Sequence, residues 1–507
     1  MKSKYVFGLL SLLLVASSCS ETSSTEAINP PAVEDDNSQI EIKQVGDTLD
    51  AELSFTSESI NASDIKYEIY DSSDELVYSV DDVESKTTIS LPRHGKYQAY
   101  AVSNDGETTY AETDFTLATD EINLAYLRAT APVSLYTFLA MQDESIQSYI
   151  DLARGNAYKW DYVPDTWHLV PGIRENYNKD DFGTFQSEYD VVRDFLKDIV
   201  TDLPDIKVNL YICDCEPTDI VVDLYKLLPE EQFTISFLTD GTLTNNGFSM
   251  NLKTMEDYNK YKEEVETALE DIDEHEVLSS LGNIEPNFAL ASLRDNVEYY
   301  VYDKETLISN AQDEELKIII DDTITQLSYL DMYEVFDTDS EMKENFEYLF
   351  GTRWTVGDEE ESVAELFDAS SKPNLVILGT SPSAEEGEPY SFEEAMGYVA
   401  DNYSADYDIF YKGHPAYPSD EERQAWFAEE KITELPGSTP AEIMLTFYPD
   451  VFTGGYLSTT YLSCYEGQIL CLFSTEEKFN QDDTYSGVLN LFEDAVFVFD
   501  ELGKTAA

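Results

Sequence analysis

Basic residues are scarce: 30 lysines and arginines stand against 103 aspartates and glutamates, a formal net charge of −73. A field of that sign repels nucleic acid and anionic membranes, which argues against both as partners. It also repels anionic substrates at long range. Histidine is scarcer still, four in 507 residues, so a histidine-built zinc site has little to draw on. Beyond the N-terminus no apolar run approaches the roughly 20 residues that span a bilayer. Cysteine is limited to Cys19, Cys213, Cys215, Cys464 and Cys471. The last four allow three pairings, and an exported chain of this length permits disulfides without needing them. Cys213-Asp214-Cys215 has no histidine nearby and reads as buried thiols, not a metal site. Apolar material is plentiful, at 42% hydrophobic and 13% aromatic residues. The chain therefore folds around real cores, and its acidity is a solvated surface. The length suggests two to four domains.

Met1-Lys2-Ser3-Lys4 is a positive n-region, and Val6 to Val15 is an apolar stretch of signal-peptide length. Ala16-Ser17-Ser18-Cys19 then resembles the lipobox of bacterial lipoproteins. The resemblance implies cleavage after residue 18, acylation of Cys19 and an exported protein anchored to a bacterial membrane, on the periplasmic side or at the cell surface. Residues 19–38, Ser/Thr-rich with Pro30-Pro31, read as a flexible tether.

From 39 to 118 the texture is short alternating runs parted by turns such as Asn104-Asp105-Gly106. It predicts a small all-β sandwich, immunoglobulin-like or fibronectin-like, with Gly95-Lys96-Tyr97 resembling a tyrosine corner. After Thr119 buried strands alternate with amphipathic helices: 122–127, 206–212, 233–238, 297–302, 374–379, 407–412, 468–473 and 495–499 as strands, and 185–203, 217–228, 252–270 and 305–320 among the helices. This predicts an α/β architecture with parallel, doubly wound sheets. Nearly 390 residues exceed one core, so two Rossmann-like domains are expected, 119–360 and 361–507. The acidic stretch around Gly357 to Glu361 marks the join.

Open α/β sheets bind ligands beyond the carboxyl ends of their strands. There the sequence places Thr239-Asp240-Gly241, Gly379-Thr380-Ser381, Lys412-Gly413-His414-Pro415 and, after FTGG, Ser458-Thr459. An acid, a histidine on a rigid turn and two hydroxyls suit group transfer off a phosphate. Each has a plainer reading. Asp-Gly is a common turn, Ser458 suits an N-cap, and Glu442 in Thr439-Pro440-Ala441-Glu442 has capping-box spacing. Asp337-Thr338-Asp339 has the form of a metal-binding Asp-x-Asp, but 103 acidic residues make it a chance occurrence.

YDIFYKGHP, LPGSTPAEIML and PDVFTGGYLSTTY, in this order and spacing, resemble the donor-binding half of the bacterial sialyltransferases of glycosyltransferase family 80. FLTDG is similar to that family's turn for the catalytic base. The resemblance runs from about Ile122 to the C-terminus and is strongest in the last 140 residues. It implies a GT-B architecture and metal-independent, inverting transfer of sialic acid from CMP-sialic acid to a glycan hydroxyl, with no cofactor. It implies Asp240 as general base and His414 as general acid or donor to the departing phosphate. Ser458 and Thr459 would grip that phosphate, Glu442 the ribose, and Lys412, Gly413, Gly379 and Thr380 would complete the donor site. Three positions depart from the family: Ser383 stands where it has a tryptophan platform for the acceptor, Pro440 where it has a serine, and Thr239 where it has a first aspartate. A lactose-like acceptor is therefore not implied. Transfer of another CMP-ulosonic acid, such as Kdo, and a non-catalytic glycan-binding lipoprotein are the alternative readings.

Overall fold

The computed structural model describes residues 37–505 except 82, 85, 128, 153–157, 172–188, 217–218, 271–283, 357–358, 415–418, 438, 482–484 and 486–488. The signal segment, Cys19 and nearly all of the tether lie outside the described residues. Two compact units are present. The smaller is built on Glu52–Ile89 and Tyr97–Phe115; the larger holds Thr116–Ala507 with the short segments Gln44–Ala51 and Ser90–Lys96.

The N-terminal strands are β1 (Gln39–Gln44), β2 (Asp50–Thr56), β3 (Ile65–Asp71), β4 (Leu76–Val80), β5 (Thr87–Ser90), β6 (Gly95–Ser103) and β7 (Thr109–Leu117). They form a three-stranded sheet, β1-β2-β5, and a four-stranded one, β4-β3-β6-β7. The period-2 pattern does the work: Ile65, Tyr67 and Ile69 alternate inward on β3 and are fully buried. Asn104-Asp105-Gly106 turns β6 into β7, with Gly106 at φ +75° and its amide on Ser103 O at 2.7 Å.

The larger unit carries two parallel sheets. The first contains β8 (Glu121–Leu127), β9 (Gln147–Leu152), β10 (Trp167–Leu169), β11 (Lys207–Cys213), β12 (Phe233–Leu238), β13 (Val297–Val301) and β14 (Ile324–Gln326), in the order β10-β9-β8-β11-β12-β13-β14. A hairpin of β15 (Arg353–Val356) and β16 (Glu359–Ser362) follows, where sequence puts the acidic join. The second contains β17 (Asn374–Leu378), β18 (Asp408–Lys412), β19 (Thr433–Glu434), β20 (Phe452–Gly455), β21 (Ile469–Leu472) and β22 (Val496–Phe497), in the order β19-β18-β17-β20-β21-β22. In both sheets the first strand lies inside and the chain winds outward in each direction, the doubly wound pattern. Near-continuous apolar strands such as β8 follow from burial on both faces.

Sequence patterning missed β9, β10, β14, β15, β16 and β19. β9 looks too polar for a buried strand, because Gln147, Ser148 and Asp151 are all buried within it. Their neighbours explain this: Asn123 Nδ2 donates to Ser148 Oγ at 3.2 Å, and Gln147 Oε1 meets His168 Nε2 at 2.8 Å. The single helix expected over 305–320 is two, Lys304–Asn310 and Glu314–Thr323. The strand expected over 495–499 is only β22, after which Val498–Thr505 is helical.

One apolar core runs through both Rossmann-like halves. Helices Tyr329–Thr338 and Ser340–Phe350 bring Phe336 and Phe346 to Phe447 of helix Ala441–Phe447, with ring centroids 5.2 and 5.4 Å apart. This packing sets the two sheets' carboxyl edges toward a common cleft. Asp339 serves as N-cap, its carboxylate accepting from the Met342 amide at 3.1 Å, so half of the Asp-x-Asp is helix punctuation.

Candidate active site

Each sheet has a switch point where its winding reverses, between β8 and β11 in one and between β17 and β20 in the other. Ligands in such folds sit at these crevices. At the second, two glycines are obligatory. A Cβ on Gly454 would approach Cys471 Sγ to 2.6 Å, and one on Gly455, at φ +108°, would reach Leu378 O at 2.3 Å. Only bare backbone lets β20 lie so close to β17 and release Ser458 at the edge.

Asp240 follows β12 on a sharp turn. Gly241 has φ +91° and stands at the N-cap of helix Thr242–Asn251. The Asp240 amide donates to Asp214 Oδ1 at 3.0 Å and to Thr244 Oγ1 at 3.2 Å.

In the other half, Lys412 ends β18 and is buried. Its Nζ donates to the carbonyls of Gly413 at 2.6 Å and Gly437 at 3.0 Å. The lysine thus ties the histidine turn to the loop before helix Ala441–Phe447. Burial holds its ammonium down to about 8, against the opposing charges of Glu442 and Glu434. Gly379 packs under Tyr411, and its amide bonds Lys412 O at 2.9 Å.

Glu442 does not form a capping box. Its helix begins after Pro440, and Thr439 Oγ1 donates instead to the carbonyls of Phe350 and Gly351. Glu442 Oε1 accepts from Thr460 Oγ1 at 3.0 Å, and Thr460 Oγ1 accepts from Ser458 Oγ at 3.0 Å. Ser458 also caps a short 3₁₀ turn, Thr459–Ser463, by accepting from the Thr460 amide. The α-helix expected to open behind Ser458 is therefore a five-residue 3₁₀ turn, too short for a substantial dipole.

These residues share one open cleft, walled by Asp240 on one side and by Gly379, Lys412, Gly413, His414, Glu442 and Ser458 on the other. The first turn of helix Thr130–Ala140 also lines it through Ala129, Thr130 and Ala131. A smaller recess beside Asp240 and Glu442 adds Asn245, Tyr302, Asp303 and Tyr329. Thr380 follows Gly379 but is not among the described residues lining the cleft. The Thr459 side chain lies outside the described residues. Sequence reasoning missed Thr460, although the Ser458-Thr459-Thr460 run offered it. It also missed Asp214 as a partner of Asp240, because it followed the flanking thiols. All four described thiols are free, with Cys213 Sγ 3.3 Å from Cys215 Sγ.

No protein-family model matches the chain, and no curated protein matches it significantly. Solved structures do. The 2,6-sialyltransferase of Photobacterium sp. JT-ISH-224, solved with CMP and lactose, superposes with TM-score 0.55 over 89% of this chain and 94% of that one, at 16% identity. The Photobacterium damsela sialyltransferase gives 0.53 over 89% and 97%, at 14% identity. Its GT-B domain alone gives 0.56 over 74% and 99%, at 15% identity. At such identities the likeness defines the fold: the two parallel sheets form a GT-B architecture.

Proposed function

We propose that this chain is a sialyltransferase-like glycosyltransferase, transferring sialic acid from CMP-sialic acid to a glycan hydroxyl with inversion and without metal. The observation that carries this reading is the meeting of Asp240, from one half, with His414, Lys412, Glu442 and Ser458, from the other, across one cleft. A carboxylate facing a cluster of donors is what such a displacement requires. Asp240 takes the proton of the acceptor hydroxyl as its oxygen bonds the anomeric carbon. The bond from that carbon to the phosphate oxygen breaks, and the electron pair leaves with CMP. His414 donates to the departing phosphate. Ser458 contributes a hydroxyl, and Glu442, held by Thr460, accepts from the ribose.

The N-terminal module reads as an immunoglobulin-like spacer, supported by its three- and four-stranded antiparallel topology. Cys19 reads as a lipid anchor, supported by the sequence that precedes it. The test is to incubate the protein with CMP-sialic acid, and in parallel with CMP-Kdo, against a glycan panel with and without EDTA. Transfer from CMP-sialic acid that EDTA leaves unchanged is expected. Transfer only from CMP-Kdo would change the donor, and absence of CMP binding by calorimetry would refute the reading.

A further inference from the structure

Beneath the Asp240 turn lies a second carboxylate that the sequence motifs do not single out. Asp214 follows β11, beside β12, and is 0% exposed. Its amide donates to Leu238 O at 2.9 Å, and its carbonyl accepts from Asn287 Nδ2 at 2.9 Å. Oδ1 accepts the Asp240 amide at 3.0 Å; Oδ2 accepts the hydroxyls of Thr244 and Tyr299, each at 2.6 Å. Thr244 Oγ1 also accepts from Thr239 Oγ1 at 2.7 Å, and Thr239 Oγ1 accepts the Gly241 amide at 2.9 Å. Thr239, Asp240 and Gly241 are thus all fastened, directly or through hydroxyls, to one buried carboxylate.

Such a group is costly to bury beside another acid, yet a neutral amide could accept at only one of the two ends that Asp214 uses. We infer that Asp214 is a positioning residue for Asp240: its carboxylate, through the Asp240 amide and Thr244, holds the Asp240 turn at the cleft wall. The inference rests on the reading of Asp240 as the base. Two neighbouring carboxylates each make the other harder to ionise. Burial pushes Asp214 up to about 7, and the charge of Asp240 adds to this against the hydrogen bonds from Thr244, Tyr299 and the Asp240 amide. The other titratable groups around it are the thiols of Cys213 and Cys215 and the phenol of Tyr299, with Glu285 acting on Tyr299. Burial pushes the Cys213 thiol and the Tyr299 phenol well up, so both are neutral where Asp214 titrates.

The test combines turnover with backbone exchange. Asp214→Asn keeps the shape but removes the charge and one of the two accepting ends. It is expected to leave CMP affinity unchanged and to lower kcat about tenfold or more. The acid limb of its rate profile should lose the ionisation that Asp214 contributes and follow one ionisation instead of two. Asp214→Ala is expected to accelerate amide exchange at Asp240 and Gly241 about tenfold or more, with Ser458–Ser463 unaffected. Wild-type kcat and pH profile in Asp214→Asn, or unaccelerated exchange in Asp214→Ala, overturns the inference. If the wild type shows no turnover, the functional reading fails, and the exchange result alone decides whether Asp214 holds the turn. Should both variants misfold, Thr244→Val removes one link of the same network, and unchanged exchange at Asp240 there is equally decisive against it.

Discussion

Lys412 offers the sharpest physical test of the donor site. Moving a buried ammonium from 10.5 to about 8 corresponds to about 3 kcal/mol of unfavourable burial. A phosphate placed in the cleft that Lys412 lines would repay that cost, returning the ammonium toward its ordinary value. At pH 8 about half of the free protein would carry a neutral lysine, so CMP binding should take up about half a proton; at pH 6.5 it should take up almost none from this source. The CMP phosphate, with a second ionisation near about 6, is already fully charged at pH 8. Calorimetric titration with CMP in two buffers of different ionisation heat, at both pH values, reads the uptake directly. Lys412→Met should abolish the pH 8 component. Buffer-independent heat at pH 8, or the same uptake in Lys412→Met, would show that the ammonium does not face the nucleotide. The stability consequence has a definite sign. Between about 8 and 10.5 the unfolded chain binds the proton that the folded one has lost, so stability rises with pH across that window relative to Lys412→Met.

Asp240→Asn keeps a turn-tolerant residue, so its CMP affinity and melting temperature should stay near wild type while kcat falls about 10²–10⁴-fold. Near-native turnover would remove Asp240 from the mechanism. Thr460→Val disconnects Glu442 from Ser458; CMP affinity measured by calorimetry should fall about tenfold, matching about 1.5 kcal/mol for a hydrogen bond to a charged group. Gly455→Ala, with its Cβ forced against Leu378 O, should lower the thermal midpoint and CMP affinity together, and an unchanged midpoint would show that the close approach is dispensable. Salt should lower the apparent KM by screening a surface of net charge −73 from an anionic donor. A steady rise of KM with salt would mean that local attraction outweighs the repulsive surface.

What the sequence determined by itself is local. Alternating burial wrote the seven N-terminal strands, and apolar runs broken by amphipathic helices wrote most of the two parallel sheets. Strand ends carrying Asp240, Gly413-His414 and Gly454-Gly455 were visible because glycine, proline and charge punctuate a chain one residue at a time. What only the tertiary structure decided is what each carboxylate touches. Glu442 has the spacing of a capping-box acid, yet Thr439 is drawn away to the carbonyls of Phe350 and Gly351, and Glu442 turns to Thr460. β9 is polar in sequence and buried in fact because Asn123 and His168 arrive from other strands. Asp214 looks like one acid among 103, and becomes singular only when Thr244 and Tyr299 close over it. Periodicity is written along the chain, but the dielectric surroundings and partners of a side chain are supplied by strands far away in sequence. Those surroundings set charge, orientation and reactivity, so the site's chemistry emerges only once the sheets have packed.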